Sequence, residues 1–250
     1  MIDLREQIAL VTGGSRGIGR AAGLLLARAG AHVALTYHTR ADEAEATARE
    51  IQSLGRRTFV AGGDLANPDV AERLIAGVKR EFGGLDILVA NAGIWPAEEV
   101  GLASMPVERW RGTMAANVDS VFLTIRAGLR LMRPGGRIVI VSSTAGQRGE
   151  PFHSDYAATK GALISLTKSL AVECAPGILV NCVAPGWVDT EMSLPAFTQD
   201  NRDRIQGTIP LQRIATAEDI AGPILFLCSE LARHVSGEVL NVNGGSVLCG

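Results

Sequence analysis

The chain reads QIALVTGGSRGIG from Gln7 to Gly19, and this stretch decides the fold. Its first half is a short apolar run typical of a buried strand, and a helical pattern follows over residues 20–29. A strand, a glycine loop and a helix in this order offer bare backbone N–H groups and a positive helix end to a pyrophosphate. The spacing Gly13-x-x-x-Gly17-x-Gly19 differs from the commonest G-x-G-x-x-G, and a plain tight turn is the alternative. We favour a dinucleotide site, whose candidate residues are Gly13, Ser15, Arg16, Gly17, Ile18 and Gly19.

Strands and helices alternate along the rest of the chain. Short apolar runs predict six further strands, at residues 32–37, 58–62, 87–90, 138–141, 178–184 and 239–242. Helical patterns lie between them, at residues 41–54, 106–132 and 156–173, and a last helix opens with a capping box at Thr216 and Asp219. This order predicts an α/β, single-domain Rossmann fold over residues 1–250, with a doubly wound, seven-stranded parallel sheet and helices on both faces. Residues 187–216 lack periodicity and are predicted to form a long loop that acts as a substrate lid.

The end of the second strand distinguishes between two cofactors. An acidic residue there would bind the adenosine ribose 2′-hydroxyl of NAD(H) and repel a 2′-phosphate. The chain instead has Tyr37, His38, Thr39 and Arg40, and no carboxylate occurs before Asp42. Two guanidinium groups near a phosphate make charge-assisted contacts, and Arg16 of the glycine loop is the second candidate beside Arg40. Either arginine alone would be better explained as a solvated surface residue, but both together with the missing acid predict NADP(H) rather than NAD(H).

Two further strand ends carry candidate cofactor residues. Asp64, followed by Leu65, comes directly after the third strand, where its carboxylate would accept a hydrogen bond from an adenine or cap the next helix. Asn67 and Asp69 are the better cap candidates, so we lean to the adenine. Residues 91–93 (Asn-Ala-Gly) follow the fourth strand, and their small side chains would let a cofactor lie close to the backbone. The alternative is that the Asn91 amide has a purely structural role and connects the ends of neighbouring strands.

The stretch from Ser143 to Lys160 carries the candidate chemistry. Ser143 follows a buried strand, while Tyr156 and Lys160 stand four residues apart on one face of a helix. A phenol has an ordinary pKa of about 10, and a neighbouring ammonium lowers it. Moving that pKa to about 7–8 takes about 3–4 kcal/mol. A partly exposed lysine hardly supplies this, so the positive charge of a cofactor would have to contribute. A Tyr–Lys pair at this spacing is also common in plain surface packing.

Asn117 stands inside a helical pattern, where asparagine is unfavourable by propensity. One explanation is a local widening of the helix that lets a backbone carbonyl hold a water. The other is a plain hydrogen bond across a helix interface. The residues favour neither.

Composition excludes several functional classes. The net charge is −2 and the basic residues are scattered, which gives no reason to expect nucleic acid or an anionic membrane as a partner. No apolar run approaches membrane length, and no signal peptide is evident. The cysteines lack paired or metal-type spacing, so we expect a cytoplasmic protein with reduced thiols and no metal site; they are Cys174, Cys182, Cys228 and Cys249.

Taken in order, these motifs resemble the short-chain dehydrogenase/reductase family over essentially the whole chain; they are Thr12-Gly13-x-x-x-Gly17-x-Gly19, Asp64, Asn91-Ala92-Gly93, Asn117, Ser143, Tyr156-x-x-x-Lys160 and Pro185-Gly186 with Thr190. The resemblance implies that Tyr156 protonates a carbonyl oxygen, Ser143 hydrogen-bonds that oxygen, Lys160 binds the nicotinamide ribose and lowers the tyrosine pKa, and Asn117 positions a water. It also implies hydride transfer from a nicotinamide, a homotetramer, and further cofactor contacts from Pro185, Gly186, Val188 and Thr190.

Within the family, the glycine loop and the closing residues 242–245 look most like 3-oxoacyl-[acyl-carrier-protein] reductases. That likeness implies an acyl-thioester or small ketone substrate, with acyl carrier protein as a candidate partner. Such reductases tend to carry basic residues near the active-site mouth, whereas residues 175–177 (Ala-Pro-Gly) supply none; the alternative cations are Arg130, Arg133 and Arg137. Bulky side chains suggest an apolar carbonyl substrate or else lid packing, and the candidate substrate contacts are Trp95, Ser143, Ala145, Phe152 and Trp187.

Other functions remain as alternatives. An NAD-dependent secondary-alcohol dehydrogenase would use the same scaffold, but the missing acid after Tyr37 opposes it. A non-catalytic nucleotide-binding regulator usually loses the tyrosine or the lysine, and both are present here. Epimerases and dehydratases with the same Tyr-x-x-x-Lys motif are usually longer and have a different glycine spacing.

Overall fold

The computed structural model describes residues 2–248, apart from the side chain of Gln199. The strands are β1 (Ile8–Val11), β2 (His32–Tyr37), β3 (Thr58–Gly62), β4 (Leu85–Ala90), β5 (Met132–Val141), β6 (Ile178–Pro185) and β7 (Val239–Val242). The α-helices are α1 (Gly17–Arg28), α2 (Ala41–Ser53), α3 (Pro68–Phe82), α4 (Val107–Met114), α5 (Ser120–Gly128), α6 (Ala145–Arg148), α7 (Ser154–Glu173), α8 (Gln199–Gly207) and α9 (Ala217–Leu227). A π-helical turn, Ala115–Asp119, joins α4 to α5.

All seven strands form one parallel sheet in the order β3-β2-β1-β4-β5-β6-β7. The predicted parallel, doubly wound sheet is therefore confirmed. The chain runs outward from β1 to β3 and then returns to place β4 on the other side of β1. At this reversal the connections leave in opposite directions, and a crevice opens at the carboxyl ends of the strands.

Each face of the sheet carries its own apolar core. Leu10 and Val11 are both fully buried, and because successive strand residues point to opposite faces they enter different cores. Val11 packs in the core that α1, α2 and α9 cover, together with Leu26 and Ile224. Leu10 packs under α3, α5 and α7, with Leu163. Burial on both faces explains why these strands are apolar without alternation.

Several predicted boundaries are wrong. The helical stretch expected to reach Met132 ends at Gly128, and Met132 opens β5 beside Leu85 of β4. A short apolar run is ambiguous between helix and strand, and here pairing with β4 decides it. Helix α1 begins at Gly17, three residues before the predicted start.

Residues 187–216 are not the structureless loop that the sequence predicted. They contain a 3₁₀ turn at Leu194–Ala196 and the helix α8. A single parallel bridge pairs Val188 with Ala215 and joins the two ends of this segment, which we call the 187–216 excursion. A small apolar cluster holds its interior together; the members are Ile205, Ile209 and Ile214, with Trp187 and Phe197 packed against them. Its use as a lid stays a prediction.

Side chains cap two helices as predicted. Asn67 accepts a hydrogen bond of 2.9 Å from the Asp69 N–H at the start of α3. Thr216 and Asp219 exchange both bonds of a capping box before α9. Asp64 caps neither helix, since its carboxylate accepts from the Ala66 N–H in the loop after β3.

A buried ion pair fixes the start of α7. The Asp155 carboxylate is fully buried and accepts bonds from Arg109 Nε at 3.0 Å and from the Thr113 hydroxyl at 2.9 Å, both on α4. Burial alone would raise the pKa of Asp155, but these hydrogen bonds outweigh it and hold the pKa below its usual value. The contact sets the position of the residue that follows, Tyr156.

We expect Arg109→Met to lower the free energy of unfolding by about 3 kcal/mol at neutral pH, because it leaves a buried carboxylate without its cation. The pKa of Asp155 is lower in the folded state, so the pair stabilises the fold above the unfolded pKa of about 3.9 and is lost as the pH falls through the folded value. Urea titrations at neutral and acid pH measure this, and the difference from the wild type should shrink in acid. Arg80→Met, on the exposed side of α3, is the control and should change little. Equal stability of all three proteins at neutral pH would contradict the assignment.

Candidate active site

Two adjoining clefts open at the carboxyl ends of β1, β4, β5 and β6. The inner cavity is lined by residues that include Ile94, Trp95, Ser143, Ala145, Arg148, Glu150, Tyr156, Lys160, Pro185, Gly186, Trp187 and Val188. The outer groove is lined by residues that include Gly13, Ser15, Arg16, Gly17, Tyr37, His38, Thr39, Arg40, Asp64, Leu65 and Ala92. The two clefts share a boundary formed by Ile18, Asn91, Gly93, Ile94, Thr190 and Met192.

The predicted trio meets in the inner cavity. Ser143 follows the end of β5, and its hydroxyl accepts from the Ala145 N–H at 3.1 Å and acts on the Tyr156 phenol as a hydrogen-bonding neighbour. Lys160 is buried one turn along α7, with its Nζ 5.6 Å from the centre of the Tyr156 ring. The same ammonium donates to the Val141 carbonyl at 2.9 Å. A strand end and one helix face thus bring a hydroxyl, a phenol and an amine to one point.

Burial shifts both ionisable groups of the trio away from their charged forms. It raises the pKa of Tyr156 to about 12, although the hydrogen bond with Ser143 acts in the opposite direction. It lowers the pKa of Lys160 to about 8. The lysine was expected to lower the tyrosine pKa, but in the cofactor-free chain desolvation is the larger effect. Forming the phenolate therefore requires a further positive charge beside it.

Asn117 has the helix widening of the first explanation and the hydrogen bond of the second, while the water of the first stays a prediction. It lies in the π-helical turn, so the helix is widened there. Its side chain is also fully used: Oδ1 accepts from the Ile94 N–H at 2.7 Å, and Nδ2 donates to the Ile94 carbonyl at 2.9 Å and to Thr159 at 3.1 Å. Asn117 is fully buried and does not line the inner cavity. Its amide holds the chain after β4 against α7.

The glycine loop is shaped by close backbone packing. Gly13 has a φ of 65° and donates to the Thr36 hydroxyl at 3.1 Å. A Cβ atom on Gly19 would clash with the Gly13 carbonyl oxygen. Gly19 was predicted to contact the cofactor, but it does not line the groove; it lets the first turn of α1 pack on the loop. Ser15, Arg16, Gly17 and Ile18 do line it.

Hydrogen bonds join the ends of β1 and β4 at the centre of the site. The Thr12 hydroxyl accepts from the Asn91 N–H at 3.0 Å and from the Ala92 N–H at 2.9 Å. Asn91 Nδ2 returns a bond of 2.9 Å to the Thr12 carbonyl. The Asn91 side chain therefore has the structural function that the sequence left as one of two readings. Ala92 and Gly93 leave the groove open beside it.

Two arginines face the outer groove with an acid between them. Arg16 forms an ion pair with Glu191, and the Arg40 guanidinium lies 3.9 Å from the same carboxylate. Glu191 follows β6 at the start of the 187–216 excursion, so sequence distance hid this contact. The predicted pair of cations is thus assembled at the groove, together with an acid that the sequence did not indicate.

Aromatic rings wall the inner cavity. Trp95 and Trp187 meet at right angles, with ring centres 5.9 Å apart, and both line the cavity as expected, as does Ala145. Phe152 was also a candidate, but it is 56% exposed and does not line the cavity. Arg148 and Glu150 were missed, although they stand among small residues between Ser143 and Tyr156, where a charge pair is conspicuous.

The arginines considered for a carrier-protein surface lie elsewhere in this chain. Arg133 pairs with Asp86 at 3.2 Å, and Arg137 pairs with Glu230 at 3.0 Å. Both belong to the first part of β5, at the amino edge of the sheet, whereas the clefts are at the carboxyl edge. In a single chain they do not border the cavity.

The cysteines that the structure describes are unpaired. Cys182 and Cys228 are buried and Cys174 is half-buried, while Cys249 lies outside the described residues. Within residues 2–248 no three histidine, cysteine or acidic side chains come together as a metal site would need. Over the same residues, no helix has both the length and the apolar character to cross a bilayer.

Comparisons with known proteins agree with this geometry. A family model described as enoyl-(acyl carrier protein) reductase matches residues 13–246. L-rhamnose 1-dehydrogenase (NAD(P)(+)) of Azotobacter vinelandii is 38% identical over 97% of both chains. The 3-oxoacyl-[acyl-carrier-protein] reductase FabG of Staphylococcus epidermidis is 38% identical over 95% of this chain and 97% of its own.

Solved structures agree as well. A short-chain dehydrogenase of Burkholderia cenocepacia in complex with NADP is 39% identical and has a TM-score of 0.92, covering 97% of this chain and 98% of its own. Likeness of this extent in both sequence and structure settles the resemblance that the motifs suggested, and the chain belongs to the short-chain dehydrogenase/reductase family of oxidoreductases.

Proposed function

We propose that this protein is an NADP(H)-dependent oxidoreductase that interconverts a ketone and a secondary alcohol. The observation that carries the proposal is the meeting of Ser143, Tyr156 and the buried Lys160 in one cavity, which adjoins the outer groove. A carbonyl oxygen at that point would meet a proton donor and a second hydroxyl at once. That is the arrangement which polarises a carbonyl for attack by hydride.

The outer groove fits a dinucleotide. Helix α1 begins at Gly17 without a side-chain cap, so its first N–H groups remain for a pyrophosphate. Arg16 and Arg40 offer their guanidinium groups to a 2′-phosphate, and no acid follows Tyr37 directly. The complex of the Burkholderia cenocepacia relative with NADP supports the same choice. Glu191 pairs with Arg16 and lies 3.9 Å from Arg40, which pairs more closely with Glu43 at 3.1 Å, so a 2′-phosphate would compete with both carboxylates.

In the proposed mechanism, the bound nicotinamide supplies a hydride in reduction and accepts one in oxidation. Tyr156 donates its proton to the carbonyl oxygen in reduction, and as the phenolate it takes the proton back in oxidation. Ser143 donates a hydrogen bond to the same oxygen. Lys160 contributes its positive charge and, as the family resemblance implies, binds the nicotinamide ribose. Trp95 and Trp187 exclude water from the reacting carbon.

The names of two relatives suggest two classes of substrate. One relative is named for a sugar and another for an acyl group on a carrier protein. We propose a small-molecule carbonyl substrate. An acyl thioester on acyl carrier protein is the second candidate, favoured by the FabG likeness and opposed by the distance of Arg133 and Arg137 from the cavity. We place the reaction in the cytoplasm, in keeping with the unpaired cysteines.

The excursion at residues 187–216 is proposed to act as the lid. Trp187 lines the inner cavity and Glu191 lines the outer groove, so the segment borders both clefts. We also propose a homotetramer that forms through α4, α5, α7 and the C-terminal strand. Phe122 on α5 is 50% exposed and Val172 on α7 is 80% exposed, which leaves apolar side chains on the outer faces of these helices.

We expect Tyr156→Phe to lower the rate of NADPH oxidation by at least about 10²-fold, because the variant lacks the proton that the carbonyl oxygen must receive. Binding of NADPH should be unchanged. Initial rates with a ketone panel and a fluorescence titration with NADPH measure the two properties. Retention of more than a few per cent of the wild-type rate would remove Tyr156 from its role.

We expect Arg40→Asp to weaken NADPH binding by about 10- to 100-fold and NADH binding far less, because a charge-assisted hydrogen bond to the 2′-phosphate is worth about 1.5–3 kcal/mol. Titration of the free protein with each cofactor gives both affinities. Arg49→Asp changes the same charge on the exposed side of α2 and serves as the control. Equal losses for NADPH and NADH would exclude Arg40 from the phosphate site.

We expect Phe122→Glu to dissociate the assembly, because it would bury a charge between neighbouring copies of α5. Sedimentation velocity at micromolar concentration should give a smaller species than the wild type. Leu54→Glu, at the end of α2 on the opposite part of the sheet, should leave the assembly intact. A wild-type protein that sediments as a monomer would contradict the proposed tetramer.

A further inference from the structure

A carboxylate stands in the inner cavity beside the proposed proton donor. Glu150 lines the cavity with Tyr156, its side chain is 19% exposed, and its charge acts on the Tyr156 hydroxyl. The neighbouring Trp95 indole acts against the rise that burial causes in the pKa of Glu150, and the Glu150 Oε1 lies 3.9 Å from His153 Nδ1. In the described part of the chain, no lysine or arginine nitrogen comes within 4.0 Å of this carboxylate. The carboxylate therefore keeps unused acceptor capacity toward the cavity.

The surroundings of Glu150 make its burial costly. Burial raises the pKa of Glu150, while His153, the Trp95 indole and Arg148 act against that rise and Asp155 adds to it. An ionised carboxylate accepts up to about four hydrogen bonds, and one indole leaves most of that capacity unfilled. Filling a closed cavity with a ligand that offers no donor would leave the group desolvated without compensation. The site thus selects for a ligand that brings a donor.

The walls beside Glu150 are flat aromatic faces. Trp95 stacks on the buried His153 ring, with centres 4.9 Å apart and planes 19° apart, so the indole is held in place. Trp187 stands across it at 84° and rests on Phe197. Rigid indoles offer a large apolar surface to the C–H face of a ring, and a polar group at their edge fixes its orientation.

This set of groups discriminates between the candidate substrates. The 3-oxoacyl unit of a thioester presents only carbonyl acceptors near the reacting carbon, and these oxygens would face the negative Glu150. A hydroxyl next to the reacting carbon supplies the missing donor. A cationic amine would also do so, but Arg148 lines the same cavity and opposes a second positive charge there.

Resting on the function proposed above, we infer that Glu150 is a specificity-determining residue which accepts a hydrogen bond from a hydroxyl of a neutral, polyhydroxylated substrate, a cyclic sugar or polyol stacked against Trp95. In the oxidation of such a substrate, the C–H bond at the reacting carbon breaks and its electron pair leaves with the hydride to the oxidised nicotinamide. The hydroxyl proton on that carbon passes to Tyr156, and a C=O bond forms. Glu150 holds the neighbouring hydroxyl and takes no part in the proton transfer.

The test compares substrates that differ by one hydroxyl. Initial rates are measured for wild type and Glu150→Gln holoprotein with aldopentoses, aldohexoses, their 2-deoxy counterparts, cyclohexanol, an amino alcohol and an acetoacetyl thioester. Glu238→Gln, exposed at the amino edge of the sheet, is the matched control for the change of charge. We expect a sugar to be preferred over its deoxy counterpart, and Glu150→Gln to lower kcat/KM for that sugar about tenfold relative to kcat/KM for cyclohexanol, because the loss of the charge beside Tyr156 affects both substrates alike.

A second measurement does not depend on turnover. Saturation-transfer NMR with the same sugars is applied to the Tyr156→Phe protein loaded with oxidised cofactor, with and without Glu150→Gln. Glu150-dependent sugar binding to the Tyr156→Phe protein, together with no turnover of any sugar by the wild type, would contradict the proposed chemistry and keep the inference about Glu150. Turnover of simple alcohols with no preference for hydroxylated substrates would support the proposed chemistry and contradict the inference about Glu150.

Three further results would also overturn the inference. One is an equal loss for sugar and cyclohexanol in Glu150→Gln, which would make Glu150 a structural residue. Another is a preference for the amino alcohol that Glu150→Gln abolishes, which would identify a cationic substrate. The third is a thioester that outpaces every sugar in the wild type.

Discussion

The contact between Thr12 and Asn91 is the constraint on which the site depends. Two hydrogen bonds between these residues, and a third from the Ala92 N–H to the Thr12 hydroxyl, join β1 to β4 where the order of the sheet reverses; all three measure 2.9–3.0 Å. Because the two strand tips are tied there, the glycine loop after β1 and the small residues after β4 stay at a fixed separation. The groove between them exists only because that separation is held. Asn117 makes a similar connection in the segment that follows β4. Its side chain binds the backbone of Ile94 and also Thr159, which fixes this segment to α7.

Desolvation dominates the electrostatics of the candidate trio. Burial raises the pKa of Tyr156 and lowers the pKa of Lys160, and both shifts favour the neutral form of the group. A buried site of this kind is poised to respond to whatever charge enters it, since a low dielectric strengthens every later interaction. The chain alone therefore does not complete its own acid–base group. The geometry is built into β5 and α7, and the function proposed above assigns the activating charge to the bound cofactor.

Much of the fold was readable from local pattern. Runs such as residues 138–141 are apolar because helices cover both faces of the sheet. The trio of Ser143, Tyr156 and Lys160 was readable because one strand end and one helix turn place it. Met132 and helix α8 were misjudged, since strand pairing and a small remote cluster decide those segments. Contacts between distant parts of the chain, such as that of Glu191 with Arg16, leave no trace in local spacing.

The bridge between Val188 and Ala215 has an evolutionary consequence. Hydrogen bonds of 2.8 Å and 3.2 Å, from the Asp189 N–H to the Ala215 carbonyl and from the Ala215 N–H to the Trp187 carbonyl, close the excursion at its base. Both ends of the insert are thereby anchored beside β6, whatever lies between them. Its length and composition are free to diverge without disturbing the register of the sheet. The carboxyl end of the sheet and its clefts can therefore be covered by inserts of different sequence. The insert is a segment that related chains can exchange without altering the rest of the scaffold.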